Sequence, residues 1–183
     1  MKIGTHNSGA YKLSNVLPLG APWWYKLALL PWIRKITAYF VLTQTKTIQE
    51  QLDAGARIFD LRVAKGTDGE LYLSHLFLCD VRYFDAVNTI MKVPDAFAMI
   101  KPDYYWEEQK ISVPWMNADI WPDVTKANDI EAAVFKQELK GRVVAWVVTP
   151  KWYWPFRQKT VLTEVNKERL QKAGAYGVTI DEF

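Results

Sequence analysis

Short apolar runs alternate along this chain with amphipathic stretches and polar turns. Lys2 to His6 reads as a first strand, followed by a long connection, 7–44, rich in Trp and Pro. Thr47 to Ala54 has the polar start and apolar spacing of a short helix, with Gly55 as its C-cap. Arg57 to Val63 is a strand, Lys65 to Gly69 (KGTDG) a hairpin-type turn, and Glu70 to Leu76 the next strand. The two-residue alternation of that strand puts Leu71, Leu73 and His75 on one face. Arg82 to Lys92 is expected to be helical and Ala96 to Lys101 a buried strand. Residues 102–124 read as irregular and aromatic. Asp129 to Lys140 reads as an amphipathic helix stopped by Gly141, and Arg142 to Thr149 as a β-branched strand. Thr160 to Ala173 reads as a helix capped by Gly174, and Tyr176 to Asp181 as the last strand. About six strands alternating with helices predict an α/β fold with a mainly parallel sheet.

Length and composition narrow this picture. A chain of 183 residues, 50% hydrophobic and 14% aromatic, is not disordered, and 1–183 reads as one domain. It is short for an eight-stranded α/β barrel of about 250 residues. The opening MKIGTHNS reads as strand and turn rather than a secretory signal. The most apolar stretch, Val16 to Leu42, is interrupted by Pro22, Lys26, Pro31, Arg34 and Lys35, so no transmembrane segment is expected. The expectation is a soluble chain peripheral to membranes, in no specified compartment. Lys and Arg outnumber Asp and Glu by only 23 to 20, too weak a balance to argue for nucleic acid by itself but compatible with anionic lipid, and no nucleic-acid partner is expected. No protein partner is predicted. The single Cys79 excludes an intrachain disulfide and a Cys-based zinc cage, and two histidines exclude a three-His metal site. Imidazole chemistry here must use His6, His75 or both.

Polar groups gather at the C-terminal ends of the expected strands: His6 and Asn7 on the first, Asp60 and Arg62 on the second, His75 on the third, then Lys101 and Asp181. That edge carries the site in α/β barrels and open α/β sheets. Each residue alone has an ordinary structural explanation, but both histidines, an Arg, a Lys and two Asp on one edge point to function. Two imidazoles can act as base and acid in one displacement at phosphorus. A guanidinium matches phosphoryl oxygens bidentately, and a buried carboxylate can hold an imidazole in one tautomer. Attack by a neighbouring substrate hydroxyl would give a cyclic phosphodiester. Inositol phosphodiesters and RNA both offer such a hydroxyl, so the chemistry alone leaves a phosphatidylinositol-cleaving enzyme and a ribonuclease open.

GTHNS (Gly4–Ser8), EQLDAGARIFDLRV (Glu50–Val63) and LYLSHLF (Leu71–Phe77) resemble the X-domain of phosphatidylinositol-specific phospholipase C, bacterial type. AFAMIK and the terminal GVTIDEF resemble two later strands of that family, while 102–140 resembles nothing specific. The resemblance implies an abbreviated, distorted TIM-type (β/α) barrel with about six to eight strands. It also implies cleavage of phosphatidylinositol to diacylglycerol and inositol 1,2-cyclic phosphate. His6 would be the base on the inositol 2-hydroxyl, oriented by Asp181, and His75 the acid on the leaving oxygen. Arg62 would bind the phosphoryl oxygens, Asp60 would lie beside it, and Lys101 would contact the inositol ring or phosphate. Bacterial members have Asp where Asn7 stands; here Asn7 is expected to accept a hydrogen bond from His75. Calcium-dependent members have a carboxylate where Arg62 stands, so calcium is disfavoured and no metal or other cofactor is expected. Two other readings are a catalytically weak lipid- or inositol-phosphate-binding module and a metal-dependent glycerophosphodiester-type enzyme.

Pro22 to Lys35 (PWWYKLALLPWIRK) mixes aromatic and basic residues as membrane interfaces do, with Trp23, Trp24 and Trp32 the expected contacts to a phosphatidylinositol-containing surface. A second cluster, Pro150 to Phe156, is expected on the opposite rim. The same aromatics would also suit stacking on bases.

Overall fold

The computed structural model describes residues 2–103, the strands 123–126, 133–139 and 142–148, and residues 177–180. The helix expected at Thr160 to Ala173, the rim cluster at Pro150 to Phe156 and Asp181 lie outside the described residues.

Strands β1 (Lys2–Thr5), β2 (Ile58–Lys65), β3 (Leu71–His75), β4 (Phe77–Arg82), β5 (Phe97–Pro102), β6 (Asp123–Lys126), β7 (Ala133–Leu139), β8 (Arg142–Val148) and β9 (Gly177–Ile180) form one sheet. Its centre is parallel, in the order β5, β2, β1, β9, β8. Antiparallel strands extend it, with β3 and β4 on β2 and with β7 and β6 on β8. The fold is mixed α/β, and the sheet curls into a half-barrel; among the described residues it is not a closed ring. More strands are present than the expected six to eight.

Two glycines allow the close approach at the centre. A Cβ on Gly4 would lie 2.1 Å from the Ile58 carbonyl oxygen, and one on Gly177 would lie 2.1 Å from Ile58 Cδ1. Only Gly lets backbone come so near. The parallel register sets Thr5, at the end of β1, beside Phe59 near the start of β2 and beside Ile180 at the end of β9, and sets Arg62 in the middle of β2 beside Lys101 near the end of β5.

Helices α1 (Trp23–Ala28), α2 (Pro31–Val41), α3 (Ile48–Asp53) and α4 (Tyr83–Met91) cover the sheet. The main core packs Ile48 and Leu52 of α3 and Val87 and Ile90 of α4 against Phe59, Leu61, Val63, Leu73 and Ile100. Thr47 caps α3 reciprocally: its hydroxyl accepts from the Glu50 amide at 3.3 Å while its own amide donates to Glu50 Oε2 at 2.7 Å. Gly55 follows at φ +100°, as the expected cap requires. A second cluster of Leu13, Tyr25, Val41 and Phe77 seats α1 and α2.

Three expectations are corrected. The connection 7–44 contains α1 and α2, which begin at the two prolines: Pro22 is the N-cap of α1 and Pro31 the first residue of α2. Proline suits a helix start because its missing N–H has no helical partner there anyway. The amphipathic helix at Asp129 to Lys140 is replaced by strand β7, which pairs with β8 from Ala133↔Val148 to Leu139↔Arg142. Strand β6 begins at Asp123 in the stretch read as irregular and runs past its end to Lys126, with β4 following β3 after Leu76 alone.

Candidate active site

The turn after β1 carries His6 and Asn7, both buried. Buried polar side chains fix it. Ser8 Oγ donates to the Thr5 carbonyl at 2.8 Å, and the Ser8 amide donates to the Asp60 carbonyl at 2.9 Å. Gln44 Nε2 donates to the His6 carbonyl at 2.8 Å, and Gln51 Nε2 to the Ser8 carbonyl at 2.9 Å. Asn7 has φ +47°, a left-handed conformation that Asn tolerates better than most residues. Leu76, directly after His75, has φ +62°, which costs a leucine roughly 1–2 kcal/mol. The two non-glycine residues in this region among those described each follow a candidate histidine, as expected where backbone strain is held at a functional site.

Replacing Gln44 by Ala removes the 2.8 Å bond to the His6 carbonyl, which keeps a longer one from Thr43 Oγ1 at 3.4 Å, and empties a buried site. Denaturant unfolding is expected to show a loss of roughly 1–3 kcal/mol. A change within a few tenths of a kcal/mol would show that the turn does not depend on this bond.

Asp60 and Arg62 share one face of β2, and the structure brings them to His6. His6 Nε2 lies 3.4 Å from Asp60 Oδ2 and 3.2 Å from Arg62 Nη2, while Arg62 Nη2 is 3.9 Å from Asp60 Oδ2. One ring nitrogen therefore faces a donor and an acceptor. Neutral with its lone pair on Nε2, and so with Nδ1–H, which calls for Asn7 to turn its Oδ1 rather than its Nδ2 to that nitrogen, the imidazole accepts from Arg62; after taking a proton at Nε2, it donates to Asp60. That is the partner set a proton-accepting base needs. Arg62 Nε is buried without a hydrogen-bond partner among the described residues, which leaves a donor for an incoming anion.

The His75 ring lies 6.5 Å from that of His6, centroid to centroid, at 74°. Its Nδ1 is 2.7 Å from the Val41 carbonyl oxygen, the last of α2. A carbonyl only accepts, so Nδ1 carries the hydrogen and Nε2 is left for chemistry. The expected bond from His75 to Asn7 is corrected: Asn7 Nδ2 instead lies 3.1 Å from His6 Nδ1, and Asn7 Oδ1 has no partner among the described residues. Its left-handed backbone turns the amide back onto the adjacent ring. Burial pushes the pKa of His75 down to about 4, helped by the positive charge of Arg62 and by His6; the Val41 carbonyl and Asp103 oppose this.

Lys101 is the register partner of Arg62 on β5, so its backbone stands at the expected edge. Asp103 was not anticipated. It is buried, accepts from Ser74 Oγ at 2.5 Å and donates its amide to the Val63 carbonyl at 3.0 Å. Its position just past a strand that ends in Lys101 was a usable signal, hidden because 102–124 read as irregular. Among the described residues no group of three or more His, Cys, Asp or Glu is placed to hold a metal ion.

Beside this site, α1 and α2 expose Trp23 (74%), Trp24 (48%) and Trp32 (70%), with Leu27, Ile36, Tyr39 and Phe40 also exposed. Tyr25 is the exception in the aromatic run. It is fully buried, its ring centroid 4.3 Å from that of Phe77, and its hydroxyl accepts from the Leu78 amide at 2.6 Å. Among the described residues no helix is long and apolar enough to cross a membrane.

No family model matches the chain. Among curated proteins, it is 33% identical over 105 residues to mouse PI-PLC X domain-containing protein 2, covering 54% of this chain and 29% of that protein. It is 35% identical over 78 residues to the human protein of the same name, covering 39% and 26%. The matched stretches thus span less than a third of these relatives' length. A solved structure concerning membrane binding by the S. aureus phosphatidylinositol-specific phospholipase C aligns over 79% of this chain and 59% of its own, with a TM-score of 0.41 and 13% identity. Two histidines, an arginine and an aspartate thus gather at one strand edge in a chain that is similar, over part of its length, to proteins named for the PI-PLC X domain.

Proposed function

We propose that this chain is a phosphodiesterase of the phospholipase C type, cleaving the glycerol–phosphate bond of phosphatidylinositol. The observation that carries this reading is the pair of imidazoles 6.5 Å apart, with Arg62 Nη2 3.2 Å from one of them. His6 Nε2 takes the proton of the inositol 2-hydroxyl, and that oxygen attacks phosphorus. The bond from phosphorus to the glycerol oxygen breaks, and protonated His75 gives its Nε2 proton to the departing oxygen. The products are diacylglycerol and inositol 1,2-cyclic phosphate. Arg62 meets the phosphoryl oxygens, Asp60 receives the new N–H of His6, and Asp181 and Lys101 are assigned by resemblance to orienting His6 and holding the ring or phosphate. The reaction uses no cofactor, and 1–183 acts as one domain.

The exposed aromatics of α1 and α2 supply the contact with lipid. Residues 1–49 contain six Lys or Arg and no carboxylate, which suits an anionic surface. Trp23→Ala with Trp24→Ala should weaken sedimentation with phosphatidylinositol vesicles by about tenfold, since two interfacial aromatics are lost, while the fold is kept. Unchanged vesicle binding would remove these residues from the interface.

A second reading, a lipid- or inositol-phosphate-binding module with weak turnover, is favoured by one observation. His75 is held by a neutral carbonyl and has its pKa down at about 4, so it is rarely charged at neutral pH. Incubation with phosphatidylinositol vesicles with and without chelator, followed by phosphorus NMR, separates the readings. Cyclic inositol phosphate formed despite chelator supports the enzyme, and binding without product supports the module. Loss of product in chelator would point to a metal-dependent phosphodiesterase instead.

A further inference from the structure

The partner of His75 lies on neither the strand edge nor the His6 turn but at the end of helix α2, whose other face exposes Trp32, Ile36, Tyr39 and Phe40. We propose that the main-chain carbonyl of Val41 is the positioning group for His75, so that helix α2 sets the tautomer and charge of the candidate acid. This rests on the acid role given to His75 above.

Three observations converge. First, the last four carbonyls of a helix have no helical partner, and Val41 is the last residue of α2. Its oxygen is thus an acceptor that the helix itself leaves over, and His75 Nδ1 occupies it at 2.7 Å. Second, the helix end is fixed on the site side. The Val41 side chain is buried in the cluster of Leu13, Tyr25 and Phe77, and the Leu42 amide still donates to the Ala38 carbonyl at 2.9 Å. The next residues bind the base as well: the Thr43 and Gln44 amides both donate to the Ala10 carbonyl at 3.0 Å, and Gln44 Nε2 to the His6 carbonyl at 2.8 Å. One short segment therefore holds both histidines. Third, the charge balance around His75 gives this carbonyl leverage. Arg62 from β2 and His6 from the β1 turn oppose a cation there, while Asp103 after β5 and the Val41 carbonyl favour one. The negative end of the α2 dipole acts in the same sense.

The positioning role is separable from packing. Replacing the amide between Val41 and Leu42 by an ester, with the hydroxy-acid analogue of leucine at position 42, weakens the Val41 carbonyl as an acceptor and leaves every side chain in place, at the loss of one helix N–H, that of Leu42 to Ala38. The same change between Tyr39 and Phe40 disturbs α2 equally and spares the Val41 carbonyl. Nitrogen-detected NMR of labelled histidine is expected to show unmodified His75 in the Nδ1–H tautomer at neutral pH. The 41–42 ester should mix the tautomers and lower the His75 titration midpoint; the 39–40 ester should do neither. Turnover of phosphatidylinositol should fall roughly tenfold or more in the 41–42 ester alone, since small misplacements of a reacting group carry such costs. An Nε2–H tautomer in the unmodified protein overturns the proposal even if neither ester folds. So does an equal response of His75 to both esters, or no response to either. The NMR readings need no turnover, so a protein that cleaves no phosphatidylinositol would fail the phosphodiesterase reading while leaving this one decided on its own.

Discussion

His6→Ala and His75→Ala should each reduce formation of inositol cyclic phosphate by roughly 10²–10⁴-fold, the range that general acid or base catalysis contributes. The reason differs for each. Without His6, the base that takes the substrate proton and holds it against Asp60 Oδ2, 3.4 Å away, is gone, and Arg62 loses the ring it rests on. Without His75, the glycerol oxygen must leave as an alkoxide. A substrate with a good leaving group, such as an aryl ester of inositol phosphate, needs no acid. The loss in His75→Ala should therefore shrink strongly with that substrate, and the loss in His6→Ala should not. Equal losses on both substrates would mean that His75 is not the acid, and near-full activity in either variant would end the acid–base assignment. Circular dichroism and vesicle binding should be retained in both, because neither ring belongs to a hydrophobic cluster.

The edge that carries the candidate site was legible in part, because parallel strands in register bring residues of neighbouring strands to one place. His6 directly follows β1 and the backbone of Lys101 lies near the end of β5, as read from the strand ends, whereas Asp60 and Arg62 lie inside β2, which runs on to Lys65. The capping box of Thr47 and Glu50 and the cap at Gly55 were legible for the same local reason. What the sequence concealed was decided by tertiary partners. Residues 133–139 carry a spacing compatible with a helix, but the β-branched β8 lies two residues further on and recruits them as a hairpin partner. Helices α1 and α2 were hidden behind their prolines, which read as breaks but serve as starts. The partner of His75 was out of reach in principle. A main-chain carbonyl has no sequence signature, and a contact between Val41 and His75 spans 34 positions.

Burial, which that contact only partly offsets, also makes His75 a measurable source of acid sensitivity. In the folded chain its pKa is about 4, against an ordinary value of 6.5. Between those values the unfolded chain binds a proton that the folded chain refuses, so stability rises with pH across the window and is fully present above it. A shift of this size corresponds to about 3 kcal/mol lost as pH falls from 7 to 4. His75→Asn cannot titrate, so its unfolding free energy should fall less than that of the unaltered protein over the same range, by about that amount, in urea titrations at matched ionic strength. Parallel pH profiles would show that His75 is not held neutral by burial. An anion seated between His75 and Arg62 should reverse the effect, because it favours the imidazolium and offsets the guanidinium charge. Inositol phosphate should therefore flatten the curve of the unaltered protein and leave that of His75→Asn unchanged in slope. Such flattening would identify the step that arms the acid: His75, neutral in the empty site, gains its proton when the phosphate arrives.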